Sequence, residues 1–171
     1  MTHKTPDRWP TFRRCLPVIR LAILVSVSFC VMAFTHELGH LMGGQLGGAT
    51  LQSGNLWPWR LPYTIFSPDP RPLITLWSGP LVGVLLPLIV ALGIGHRWLW
   101  FIADFCLLAN GVYIAAGWIS RDSYLDTIRL LDNGASPVTL IAFCATTIGF
   151  GYGRFRARVR EILSPAGTLR G

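Results

Sequence analysis

LAILVSVSFCVMAFTHELGHLM, residues 21–42, decides the fold, because it joins a membrane-like apolar run to a dense polar cluster without a break. The run begins at Leu16 and reaches Phe34, then continues with no proline through His36-Glu37-Leu38-Gly39-His40-Leu41-Met42 to Gly43 and Gly44. About 20 apolar residues suffice to cross the hydrocarbon of a bilayer, so these residues predict a spanning helix that carries its polar groups inside. A basic segment before an apolar stretch also describes a secretory signal. This stretch is longer than such a signal, and no small-residue cleavage site precedes the polar cluster, so a retained span is expected.

Three further apolar runs follow. Leu73 to Gly95 is interrupted by Gly79-Pro80 and Pro87, where kinks are expected. Trp98 to Ile119 is flanked by Trp98, Trp100 and Trp118, residues suited to the interfacial level. Pro137 to Gly153 is the shortest, at 17 residues. The expectation is an all-α polytopic membrane protein, residues 1–171 forming one membrane-embedded domain, with spans near 18–42, 73–95, 98–119 and 137–153. Residues 47–72, rich in Gly, Pro and Trp, read as a strand-bearing or re-entrant loop, with β-compatible pieces at Ala49-Thr50-Leu51 and Tyr63-Thr64-Ile65-Phe66. Leu125, Ile128 and Leu131, three apart, predict a short amphipathic helix ending near Asn133-Gly134.

Composition agrees with this class. Of 171 residues, 51% are hydrophobic and only 13% charged, about half the share usual in soluble domains. The net charge of +7 would suggest nucleic acid in a soluble protein. Here Lys4, Arg8, Arg13 and Arg14 precede the first run and Arg154, Arg156, Arg158 and Arg160 follow the last, as orientation signals do, so the expected partner is the lipid bilayer and no nucleic acid. Cys15, Cys30, Cys106 and Cys144 have no CxxC spacing and predict neither a disulfide nor a cysteine metal site. Counted by side, the tails and the turn at residues 95–97 hold ten Lys and Arg against four in the other two loops, which places both termini in the cytoplasm. The polar cluster and residues 120–136 then lie on the same side, toward the outer face.

On a helix, residues four apart differ by about 40° in direction, so the rings of His36 and His40 face one point. Two imidazoles so placed are a metal-ligand pair, and Glu37 stands where it can act on a metal-bound water without ligating, the general-base position of H-E-x-x-H sites. A carboxylate in a span costs about 2.5 to 3.5 kcal/mol on insertion scales, which coordination of Zn2+ offsets. The competing explanation is a packed polar cluster in which His40 and Glu37 bond to Arg or Asn of other spans. A catalytic zinc requires a third protein ligand. Asp104 is near the opposite membrane face and is expected to pair with Arg20 or Arg97. Asp7, Glu161, His96 and Asp69 are set aside by location. Asp122, Asp126 and Asp132 remain, with Asp126 the choice, Asp122 the alternative, and capping of the short helix the bland role for Asp122.

Three elements together resemble the site-2 protease-like intramembrane zinc metalloproteases: His36-Glu37-x-x-His40 within a span, Ser78-Gly79-Pro80-Leu81 in the next, and Leu125-Asp126-Thr127 after the third. Their order and spacing match over roughly residues 20–131, with Thr127 where that family has glycine. The resemblance implies His36, His40 and Asp126 as zinc ligands, Glu37 as catalytic base, and hydrolysis of peptide bonds in membrane-spanning or membrane-adjacent substrate proteins. It also implies a cell-membrane location, the inner membrane in a bacterium, and a zinc toward the cytosolic face, against the Lys and Arg count. Asn110 could hydrogen-bond a substrate backbone, as a family Asn does, or pack between helices. Two other functions fit the same residues: an inactive relative with a structural or partner-binding role, and a small ion or proton transporter built on His36, Glu37 and His40. The count of basic residues makes a checkable statement. Single cysteines introduced into either tail of a cysteine-free chain should react with an impermeant maleimide only after the membrane is opened; labelling in sealed cells would reverse the orientation.

Overall fold

The computed structural model describes residues 10–60 and 62–164. Lys4, Arg8 and Arg170, and the side chains of Arg13 and Arg14, which enter the charge count, lie outside the described residues. The chain is mostly helical, 77%, and its architecture is all-α and polytopic. Its elements are α1 (Pro10–Gly47), β1 (Leu51–Asn55), β2 (Tyr63–Phe66), α2 (Pro72–Ile94), α3 (Arg97–Ser120), α4 (Asp126–Asp132) and α5 (Pro137–Leu163). Four of the helices, α1, α2, α3 and α5, are long and apolar enough to cross a membrane. Val18, Ile23, Phe29, Leu85, Ile89, Ile141 and Phe150 are all exposed, a surface that water would penalise and lipid would not.

Local signals set the helix ends. Pro72 and Pro137 occupy first-turn positions, where a missing N–H costs nothing, and the Ser136 hydroxyl accepts from Val138 N at 3.3 Å to cap α5. Gly95 closes α2 in the left-handed conformation at φ 72°. Two ends differ from the sequence expectation. α1 runs from Pro10 to Gly47, passing Pro17, and at about 57 Å it exceeds the hydrocarbon thickness. α5 is not the shortest span: it continues past Gly153 to Leu163, because the arginine-rich segment is itself a good helix former.

Glycines let α1 and α2 approach closely. A Cβ on Gly39 would collide with the Ser78 carbonyl and one on Gly43 with the Ser78 side chain. The antiparallel pair α3 and α5 meets in the same way, with Gly111 against Thr147 and Gly151 against Leu108. Asp104 forms its ion pairs among the described residues with Arg154 and Arg158, where the sequence expectation is Arg20 or Arg97. Its Oδ1 lies 2.6 Å from Arg154 Nε and its Oδ2 3.5 Å from Arg158 Nε, because the continuation of α5 carries those arginines past the start of α3.

Between α1 and α2, β1 and β2 form an antiparallel hairpin with Leu51 opposite Phe66 and Asn55 opposite Tyr63, and a bulge between Leu51 and Ser53. The first strand is therefore Leu51–Asn55 and not Ala49–Leu51. Its polar sequence has no strand pattern of its own and is held by pairing with β2. The buried face of α4 is Asp126, Thr127 and Leu130, while the residues three apart, Leu125, Ile128 and Leu131, flank it. Leu130 joins Leu76, Ile114, Ala135 and Leu140 in the core beside the polar cluster.

The glycine contacts predict opposite effects at two positions of the α1/α2 pair. Gly39→Ala should destabilise by about 1 to 3 kcal/mol through overpacking. Gly93→Ala, with nothing within 4 Å of the added carbon, should leave stability unchanged or raise it by up to about 1 kcal/mol. Denaturant unfolding in detergent reads both.

Candidate metal centre

His36 and His40, one turn apart on α1, and Asp126, at the start of α4, are all buried and come together, each offering one ligand atom within 4.8 Å of the others. His36 Nε2 lies 2.8 Å from Asp126 Oδ2, His40 Nε2 lies 3.1 Å from the same oxygen, and the two Nε2 atoms are 3.1 Å apart. Three tetrahedral ligands at ordinary zinc distances stand about 3.3 Å from one another, so the triangle needs to open by only a few tenths of an ångström to seat such an ion.

The far side of each ring fixes its tautomer. The His40 Nδ1–H donates to the Thr75 carbonyl at 2.8 Å, an oxygen that can only accept. The His36 Nδ1–H donates to Asn110 Oδ1 at 2.8 Å, and the Asn110 amide is oriented by its own donation to the Cys106 carbonyl at 2.9 Å. In the neutral rings both Nε2 atoms are therefore unprotonated. Two lone pairs and a carboxylate oxygen then face one another in a buried space, an arrangement that a bound cation or a proton on one Nε2 resolves. Burial by itself would push the Asp126 carboxyl up, but when the rings are protonated the charge and hydrogen bonds of His40 and His36 outweigh it and hold the group below the usual carboxylate range. The three donors together could hold a metal ion.

The surrounding sequence supports this placement. A Cβ on Gly79 would strike the His40 ring, so the Gly-Pro-Leu segment of α2 supplies the space for that imidazole. One turn on, a Cβ on Gly83 would meet Asn110 Oδ1 at 2.7 Å. The Tyr113 ring stands edge-on to His36, with centroids 5.1 Å apart. Thr127 is fully buried and its hydroxyl donates to the Ile114 carbonyl at 2.7 Å, while Gly117 leaves room for it. This contact fixes the first turn of α4, and with it Asp126, against α3.

Glu37 is half-buried beside the cluster, and its Oε2 accepts from the Thr64 hydroxyl of β2 at 3.1 Å. Asp122 is exposed and away from the cluster, where its Oδ1 accepts from Tyr124 N at 2.9 Å. It does not cap α4, whose N-cap position is Leu125. Asp132 is exposed at the other end of that helix. An Asn of a neighbouring span does touch the cluster, but it bonds His36 and not His40 or Glu37. The orienting contacts of Asn110, Thr75 and Thr64 were not readable from sequence; the one signal was a polar Asn in mid-span with a glycine available opposite it. Compared with protein-family models, with curated proteins and with solved structures, the chain matches none.

The geometry separates three variants in the metal content of purified protein. Asp126→Asn should lose bound metal, Asp122→Asn should keep it, and Asn110→Leu should weaken affinity about 10- to 100-fold by freeing the His36 ring.

Proposed function

We propose that the chain is an intramembrane zinc endopeptidase of the site-2 protease kind, with His36, His40 and Asp126 as the metal ligands and Glu37 as the general base. The supporting observation is the convergence of the His36 and His40 Nε2 atoms and one carboxylate oxygen with Glu37 adjacent on the same helix. When bound, zinc supplies Lewis acidity toward a substrate carbonyl and acidifies water.

The chain's own residues supply the rest. The Thr75 carbonyl and Asn110 keep both imidazoles in the metal-binding tautomer, and Thr127 keeps Asp126 opposite them. Glu37 takes a proton from the attacking water and delivers it to the departing amine. The Thr64 hydroxyl holds the Glu37 carboxylate from the hairpin side, so the base and the hairpin act as one unit. A substrate helix has its carbonyls tied in its own hydrogen bonds, and it must extend before attack. The β1–β2 hairpin, lying over Glu37, offers an edge on which an extended segment can pair. We place the protein in a cell membrane, the inner membrane in a bacterium, with both termini cytoplasmic by the Lys and Arg count.

Metal analysis beside proteolysis tests this reading. Glu37→Gln should retain zinc and lose cleavage of a membrane-spanning reporter by at least about 100-fold, the scale of a lost general base. His40→Ala should lose both, and chelation should abolish cleavage reversibly. Cleavage unaffected in Glu37→Gln, or metal-independent ion flux in liposomes, would exclude the proposal.

A further inference from the structure

The four arginines at the end of α5 divide by face. Arg154 and Arg158, one turn apart, point to α3 and are neutralised: Asp104, fully buried, contacts both, and Glu161 Oε2 lies 3.7 Å from Arg158 Nη1. Arg156 is turned about 200° from Arg154, and Arg160 lies one turn beyond Arg156, so this second pair faces away from the bundle. Both are exposed, and among the described residues no carboxylate pairs with either. Two arginines are thus spent on a buried acid, and two present uncompensated charge.

Their level in the membrane follows from the α3/α5 register. Asp104 lies against Arg154, Leu108 against Gly151 and Gly111 against Thr147. Continued by one more turn, the same register sets Arg158 opposite Trp100 and Arg160 opposite Trp98, and indoles favour the interface. The outward face also carries exposed Tyr152 before Arg156 and exposed Leu163 after Arg160, with the Arg156 guanidinium 6.0 Å above the Tyr152 ring. An aromatic and an aliphatic group flanking two guanidiniums match the boundary between acyl chains and headgroups. A nucleic acid would leave Tyr152 and Leu163 without partners.

We propose that Arg156 and Arg160 form a docking surface for the phosphate groups of anionic phospholipids. The planar guanidinium binds phosphate oxygens in pairs, and the level of the two side chains puts them at the phosphate layer of the leaflet that α5 reaches. Asp104 contributes by withdrawing Arg154 and Arg158, so the anion-binding charge is confined to one face.

Native mass spectrometry of the full chain in neutral detergent, offered equimolar dioleoyl phosphatidylglycerol and dioleoyl phosphatidylcholine, tests the assignment. Retention of phosphatidylglycerol should exceed that of phosphatidylcholine by about tenfold or more, from about fivefold per arginine at a membrane surface. The double variant Arg156→Gln with Arg160→Gln should bring the two lipids to parity, whereas Arg156→Lys with Arg160→Lys should keep a smaller preference, because the charge remains and the paired guanidinium contact is lost. Millimolar inorganic phosphate should leave phosphatidylglycerol bound. Equal retention by the unaltered chain, a preference that survives the double glutamine variant, or displacement by inorganic phosphate would each overturn the proposal. Should the glutamine variant misfold, the lipid comparison on the unaltered chain and the lysine variant still decide.

Discussion

Two imidazole lone pairs and a carboxylate oxygen held about 3 Å apart in a buried space repel one another unless positive charge lies between them. The structure makes this arrangement hard to avoid. The Nδ1 atoms are committed as donors to the Thr75 carbonyl and to Asn110, which turns both Nε2 atoms toward Asp126, and Asp126 is held by the burial and hydrogen bonding of Thr127 beside it. Each of these partners comes from a different element, α2, α3 and α4. A geometry able to hold a metal ion is therefore built by the whole bundle and not by the H-E-x-x-H helix alone.

Helix α3 connects the two polar regions of the molecule. Toward one end it carries Asn110 and Tyr113 against His36; toward the other it buries Asp104 beneath Arg154 and Arg158. A buried carboxylate with one partner removed is strongly unfavourable, so the Asp104 pair fixes α5 against α3 in one register. The same register brings the small residues Gly111 and Gly151 to the contact, where backbones come close enough for dispersion to act in a lipid environment that offers no hydrophobic drive between helices.

Much of this was legible in the sequence where a short-range period or a long apolar run dictates structure. The spans at residues 72–94 and 97–120 agree with their apolar runs within one or two residues, and the i to i+4 spacing of His36 and His40 is what brings their rings together. What escaped sequence reading depends on distant partners. Nothing local to Asp104 indicates that Arg154 lies opposite, since that requires α5 to remain helical beyond its apolar part. The inward face of α4 is polar at Asp126 and Thr127, so counting apolar residues selected its flank. Asn110 was visible as a polar residue in a span, but its task is set by the ring it meets on α1. β1 has a strand conformation only because β2 pairs with it.

X-ray absorption at the zinc edge on natively extracted protein reads the proposed His36, His40 and Asp126 centre itself. One zinc per chain is expected, with a nitrogen and oxygen shell at about 2.0 to 2.1 Å and outer scattering from two imidazole rings. A sulfur shell at about 2.3 Å, scattering from other than two imidazoles, or the lack of any transition metal in intact protein would contradict that centre.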